Sequence, residues 1–331
     1  VASTNPFLRS EVLRADLARV ETELAASVRA EDPFLTEIAS HLIRAGGKRV
    51  RPTLTLVAAG TREPTLVPAT DEVVMGAVAV ELVHLGSLYH DDVMDDAATR
   101  RTVESVNARW GNLRAILAGD YLLAKASEIA ASLGTEVAGL LAATIGRLCE
   151  GQVLELERAF DVRRTEESYL TSIAGKTASL LSTACRIGAI VADLPRAQVD
   201  ALTAFGHAYG MAFQIVDDLL DLVATDDELG KPAGNDLVEG VYTLPVIRAL
   251  AGDTGPALRA RLGGPLGPAD LDEARALVRD SGAVETALAT ARGYADDARR
   301  AIEPFAGTEA GTALSGATEH LLASVAAVAA R

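Results

Sequence analysis

Two acidic clusters of one form, Asp91-Asp92-Val93-Met94-Asp95 with Asp96 adjoining and Asp217-Asp218-Leu219-Leu220-Asp221, each lie inside an otherwise apolar helical stretch. Residues four apart share a helix face, so Asp91 converges with Asp95 and Asp217 with Asp221. Carboxylates that close repel one another, and solubility alone would disperse them. Their repeated crowding on apolar helices calls for a counter-ion. The simplest is magnesium, which prefers oxygen ligands and shares them with substrate phosphates.

At 331 residues, 49% hydrophobic and a mean hydropathy of +0.20, the chain can bury a large core. Length alone leaves one large domain or two smaller ones open. Aromatic residues are only 4%, and no run alternates apolar with polar residues between hairpin turns, so the period is helical nearly everywhere and an all-α fold is expected. A formal net charge of -15 and a pI of about 4.8 disfavour nonspecific nucleic-acid binding, which depends on Lys and Arg neutralising phosphates. Cys149 and Cys185, both in apolar helical surroundings, are expected to be buried reduced thiols. The opening VASTNPFLRSEVLRADL is charged from Arg9 onward and has no apolar signal core, and no run of about 20 apolar residues is evident. A soluble cytoplasmic protein is expected, with at most peripheral membrane contact.

Helical signals run over about 6–30 and 33–45, stop at Gly46-Gly47 and resume at Pro52. An apolar segment over 71–96 carries the first cluster near its C-terminal end, and 99–111 reads as a basic polar loop. Helices are expected over about 112–133, 135–160, 165–192 and 196–223, the last again carrying its acidic cluster near the C-terminal end. Residues 225–242, TDDELGKPAGNDLVEGVY, have the composition of a long surface loop, and a lid is expected there. Tyr89 is expected to pack or bond between helices, Gly151 to permit close helix approach, Asp120 to cap a helix, and the charge run 155–158 to face solvent.

Three basic elements accompany the clusters: Gly46-Gly47-Lys48-Arg49-Val50-Arg51-Pro52, the pair Arg100-Arg101, and Lys176-Thr177. A glycine-rich turn with basic residues ahead of a helix suits a phosphate, although such turns are also ordinary connectors. Taken in order, GGKRVRP, LYHDDVMDDAATRR, GKTASL, FQIVDDLLD and LGKPAGNDL resemble the trans-isoprenyl diphosphate synthases, or polyprenyl synthetases. The match covers roughly 35–250 of a chain read as a single polyprenyl synthetase domain over 1–331. The resemblance implies an all-α bundle around a deep central cavity, a homodimer, and both acidic clusters facing each other at the cavity mouth.

By the same resemblance, three magnesium ions would be held on the diphosphate of an allylic substrate, with Asp91, Asp95 and Asp217 as direct ligands and Asp92, Asp218 and Asp221 as partners or supporting groups. Arg100, Lys176, Thr177, Gln214 and Lys231 match positions that bind the allylic diphosphate. Lys48, Arg51, His84 and Arg101 match those that bind isopentenyl diphosphate. The implied chemistry needs no protein nucleophile. Charge building on the departing diphosphate is stabilised while the allylic C–O bond ionises, the isopentenyl double bond attacks the cation, and proton loss gives a product five carbons longer. One position departs from the family: Val241 stands where Lys is common, so weaker allylic-diphosphate binding or altered lid closure is expected.

The residues below Asp91 on its helix face are Ser87, Val83, Val80, Ala79 and Gly76, none aromatic. Gly86 and Ser87 lie five and four before the cluster, where short-chain relatives often carry bulky side chains. At about 1.5 Å per residue, Gly76 would lie roughly 20 Å below the carboxylates. A wall of Gly86, Ser87 and Val83 therefore predicts a product of C30 or longer, unless Leu122, Ile145 or Leu148 forms a floor. The alternatives are a C15–C20 farnesyl or geranylgeranyl diphosphate synthase and a noncatalytic subunit of a heteromeric synthase. A terpene cyclase would replace the second aspartate cluster with another triad, and a calcium-binding EF-hand would need a glycine-containing ligand loop that is missing here.

Overall fold

The computed structural model of the protein describes residue 7 and residues 10–225 and 233–329, with side chains through 325. Its axis is helix α5 (Asp71–Met94), the most completely enclosed of the long elements. The Thr70 hydroxyl caps it by accepting from the Val73 amide at 3.4 Å, and Asp71 and Glu72 sit at the positive end of its dipole. Between Val73 and Tyr89 it is apolar on nearly every side, so neighbours must cover it all round. They are α1 (Glu11–Ser27), α4 (Val50–Gly60), α7 (Asn112–Ser132) and α10 (Ser179–Val191). The Tyr89 hydroxyl donates to the Ile38 carbonyl at 2.8 Å and accepts from the Leu42 amide at 3.3 Å, tying α5 to α2 (Pro33–Ala39) and α3 (His41–Arg44).

The second acidic helix, α11 (Arg196–Val223), packs on α10, α16 (Ala283–Ala301) and α17 (Glu309–Ala329). Between the two acidic helices run α8 (Thr135–Glu157), α9 (Glu166–Ile173) and a π-helical segment, Ala174–Ala178. The helix expected over 165–192 is therefore interrupted by a π turn, a distortion that often marks functional positions. Shorter helices complete the described bundle: α6 (Val106–Trp110), α12 (Asn235–Val238), α13 (Leu244–Ala251), α14 (Gly255–Arg259) and α15 (Pro268–Asp280). The all-α expectation holds apart from one small sheet. Strands β1 (Thr99–Arg100) and β2 (Val103–Glu104) pair antiparallel across Arg101 and Thr102. Both turn residues have positive φ, at 52° and 65°, the conformation of a tight hairpin turn. The stretch expected to be loop is thus a hairpin followed by α6.

Glycines set the spacing of the helices that carry the site. A side chain at Gly188 would strike the Thr55 carbonyl where α10 crosses α4, and one at Gly151 would strike the backbone at Gly175 and Lys176. The expectation of close approach at Gly151 is met: α8 touches the π turn there. Other local expectations are corrected. Asp120 lies inside α7 rather than at its cap, and Cys149 is exposed on α8 whereas Cys185 is buried. Among the described residues two helices, α5 and α8, are long and apolar enough to cross a membrane, contrary to the reading that no such run exists. The apolar stretch of α5 is 72% buried as core, but that of α8 is only 22% buried, which leaves α8 a broad uncovered face.

Gly188→Ala should destabilise the protein by about 1–3 kcal/mol, because backbone must shift to admit the methyl group. Gly293→Ala, in open space within α16, should stabilise it by about 0.5–1 kcal/mol. Thermal unfolding of both variants checks the contrast, and equal shifts would refute the close-crossing account.

Candidate active site

The C-terminal ends of α5 and α11 open onto one cavity of about 950 Å³. Asp91 faces it from α5, Asp95 from the C-cap of that helix, and Asp217 from α11. Asp92 does not line it; buried on the other side of α5, its Oδ1 accepts from Arg100 Nε and Nη2, each at 2.6 Å. Asp218 is also buried, accepting from the Tyr169 hydroxyl at 2.6 Å and from Gln214 Nε2 at 2.7 Å. The Gln214 carbonyl oxygen accepts from the Thr177 hydroxyl at 2.7 Å. Thr177, Gln214, Asp218 and Tyr169 thus form one hydrogen-bonded chain from the π turn to the second cluster. Asp221 accepts from the Asp236 amide at 3.2 Å, which joins α11 to α12.

Lys176 leaves the π turn toward the cavity, where Nζ meets Glu155 Oε1 at 2.5 Å. Glu155 therefore does not face solvent as the charge run suggested; it is the resident partner of a cavity lysine. Burial works against the Lys176 ammonium, but Glu155 and Asp91 outweigh it and raise the pKa, so the group stays cationic. On the opposite side, Lys48, Arg51, His84, Arg100 and Arg101 line the cavity. Arg101 donates to the carbonyls of Gly46 and Leu42, so the hairpin clips the glycine turn into place.

Within this basic wall lies a carboxylate that sequence reasoning missed. Glu81 is 1% exposed and bonds Arg49 Nη1 at 2.8 Å, with Arg101 Nη2 at 3.9 Å. Arg49 is held in turn by Glu21 and the Ile43 carbonyl. Burial raises the Glu81 pKa, and Arg49 opposes it most strongly, followed by Arg51. Arg51 is lowered to about 10 by burial, partly offset by Glu81, and so remains charged at neutral pH. Its Nε has no hydrogen-bond partner among the described residues. Burial, then Arg51 and Arg101, push His84 well below its ordinary value, leaving it neutral. A surplus of cations with an open donor fits an anionic ligand.

The carboxylates fit a hard divalent cation. Burial pushes Asp91 up to about 6, Lys176 opposes this, and Asp95 raises it further; burial likewise raises Asp95. Among the described residues no group of three His, Cys, Asp or Glu side chains converges to hold a metal ion without further ligands. Lys231 and residues 226–232 of the lid expected over 225–242 lie outside the described residues; the described part carries α12 and buries Ala233, Leu237 and Tyr242, so it is not a surface loop throughout. Of the expected wall, Ser87 lines the cavity, whereas Val83 is packed in the core and does not. Gly86 does not line it either: a Cβ there would meet the Gly119 carbonyl and Leu123 at 3.1 Å on α7. Leu148 and Phe213 do line the cavity, and Leu122 is fully buried elsewhere.

A helical bundle that brings two acidic helix ends, Lys176 and a basic wall to one cavity suits an anionic ligand and a divalent metal. Residues 32–278 match the model of the polyprenyl synthetase family. The chain is 39% identical over 299 residues to heptaprenyl diphosphate synthase component 2 of Geobacillus stearothermophilus, covering 90% of this chain and 92% of that protein. It is 40% identical over 294 residues to nonaprenyl diphosphate synthase of Mycobacterium tuberculosis, covering 88% and 87%. Its fold matches geranylgeranyl pyrophosphate synthase from Corynebacterium glutamicum, solved with calcium and isoprenyl diphosphate, at a TM-score of 0.84, 38% identity and coverage of 98% and 99%. The protein belongs to the polyprenyl synthetase family and is a prenyltransferase that extends isoprenoid chains head to tail.

The raised carboxyl pKa gives a sign for metal binding. Asp91 is protonated in the free folded protein below about pH 6, and a cation must displace that proton. Its own contribution to stability is full below the unfolded value and is lost as pH rises through about 6. Magnesium should therefore raise the melting temperature more at pH 7.5 than at pH 5. Equal gains at both pH values would show that these carboxylates do not hold the ion.

Proposed function

We propose that this chain is a magnesium-dependent polyprenyl diphosphate synthase that condenses isopentenyl diphosphate with an allylic diphosphate to make all-trans products of C30 or longer. The observation that carries this reading is one cavity lined by Asp91, Asp95 and Asp217 together with Lys48, Arg51, Arg100, Arg101 and Lys176. Asp91, Asp95 and Asp217 would hold magnesium, with Asp92, Asp218 and Asp221 orienting them. When bound, the metal supplies Lewis-acid stabilisation of the departing diphosphate. Lys176 and Arg100 present positive charge to the allylic diphosphate, and the Thr177–Gln214 pair presents fixed dipoles. Lys48, Arg51, neutral His84 and Arg101 seat isopentenyl diphosphate. No side chain needs to act as a nucleophile; the protein positions both substrates and keeps water from the cation.

The long-chain reading rests on small Ser87 at the cavity wall and on the heptaprenyl and nonaprenyl products named for two relatives. Phe213 and Leu148 in the lining, with the geranylgeranyl-forming relative, favour a C20 product as the second reading. A cytoplasmic homodimer is proposed as well. Leu113 and Leu117 on α7 are 80% and 64% exposed, and α8 beside them is largely uncovered, a surface suited to burial against a second copy. Membrane contact at product release would be peripheral.

The test is incubation of the purified protein with magnesium, labelled isopentenyl diphosphate and, separately, dimethylallyl, geranyl, farnesyl or geranylgeranyl diphosphate, with products sized by chromatography and mass spectrometry. Six or more isoprene units are expected; products that stop at three or four would overturn the long-chain reading but keep the enzyme class. Absence of elongation with any primer would favour a noncatalytic subunit. Ser87→Phe should shorten the product by at least one unit, and an unchanged distribution would remove this wall as the length determinant.

A further inference from the structure

Arg164 takes part in none of the contacts assigned above. It lies in the turn between α8 and α9, is 5% exposed, and donates from Nη1 to the Tyr242 carbonyl at 3.2 Å. Its Nε and Nη2 are enclosed and have no acceptor among the described residues. A buried guanidinium with two open donors is costly unless nearby negative charge offsets it. Its surroundings supply that charge: Glu155 and Asp218 both act on it electrostatically, Glu155 more strongly. The guanidinium carbon also stands 5.6 Å from the centroid of the Tyr169 ring, whose hydroxyl holds Asp218. Val241, next to the carbonyl that anchors Arg164, brings no charge to this corner.

We infer that Arg164 is a positioning residue that takes over Glu155 when Lys176 turns to substrate. In the free protein Glu155 is the partner of Lys176, with its side chain 15% exposed. A diphosphate entering between the acidic clusters competes for Lys176. The exchange would strand a largely buried carboxylate beside the incoming anion unless another cation accepts it. Arg164 has the open donors and the charge for that acceptance, so Lys176 exchanges one anion for another and Glu155 is never left alone. Arg164 also keeps its place over Tyr169 and so steadies the Tyr169–Asp218–Gln214–Thr177 chain on the same side of the cavity.

The inference rests on the assignment of Lys176 to the allylic diphosphate, and steady-state kinetics separate the two. Arg164→Met should raise the allylic KM by about tenfold while leaving the isopentenyl KM within about twofold, and Arg164→Lys should restore most of the loss. Adding Glu155→Gln to Arg164→Met should bring the allylic KM back toward the wild-type value, because no stranded carboxylate remains. Glu155→Gln alone, in the otherwise native protein, should lower the allylic KM; this arm stands even if Arg164→Met does not fold. A parallel rise in both KM values, failure of Glu155→Gln to rescue, or no effect of Glu155→Gln alone would overturn the exchange. A Lys176→Met variant whose allylic KM does not rise would overturn the assignment beneath it, independently of Arg164.

Discussion

Negative charge held at the mouth of a buried cavity is the condition to which the rest of this fold answers. Asp91, Asp95 and Asp217 approach from two helix ends, and burial already lifts the carboxyls of Asp91 and Asp95 toward protonation. The bundle places them there because α5 and α11 are among its best-covered helices, leaving their acidic ends nowhere to go except into the shared opening. Repulsion of this kind is useful to an enzyme that must gather cations and then a diphosphate. The same crowding would be a liability in a protein without such a ligand.

Several of the acids and bases near the cavity are held in pairs. Lys176 rests on Glu155, Arg100 on Asp92, and Arg49 on Glu81. Of the non-glycine residues with positive φ among those described, Arg49, Asp96, Arg101 and Thr102 lie in the segments that frame this mouth. Left-handed backbone at such residues is unfavourable and is retained where surrounding contacts hold it. Here the Arg101 guanidinium, bonded to the glycine-turn carbonyls, is one such contact.

Much of the site was legible in the residues because its chemistry is local. The four-residue spacing of Asp91 and Asp95, the basic turn at 46–52 and the Lys176–Thr177 pair are readable without tertiary knowledge, and the structure brings all of them to one cavity. Glu81, Glu155, Tyr169 and Arg164 were not legible. Each acts through a partner on a different element, and nothing in its neighbours along the chain distinguishes it from an ordinary core or surface residue. The expected wall failed in part for a related reason. Helical periodicity places Val83 and Ser87 near one face, but it does not say where α7 presses, and Gly86 meets Leu123 and the Gly119 carbonyl instead of the cavity.

The sequence by itself determined the helical class, the two carboxylate pairs and the basic segments, because helix periodicity and short spacings are properties of neighbouring residues. Only the tertiary structure decided which carboxylates face the cavity and which are held away by Arg100 or Tyr169. It also decided that Cys149 is exposed, and that a π turn delivers Lys176 to Glu155. Those outcomes depend on how closely helices pack at glycines such as Gly151, and on partners drawn from distant parts of the chain.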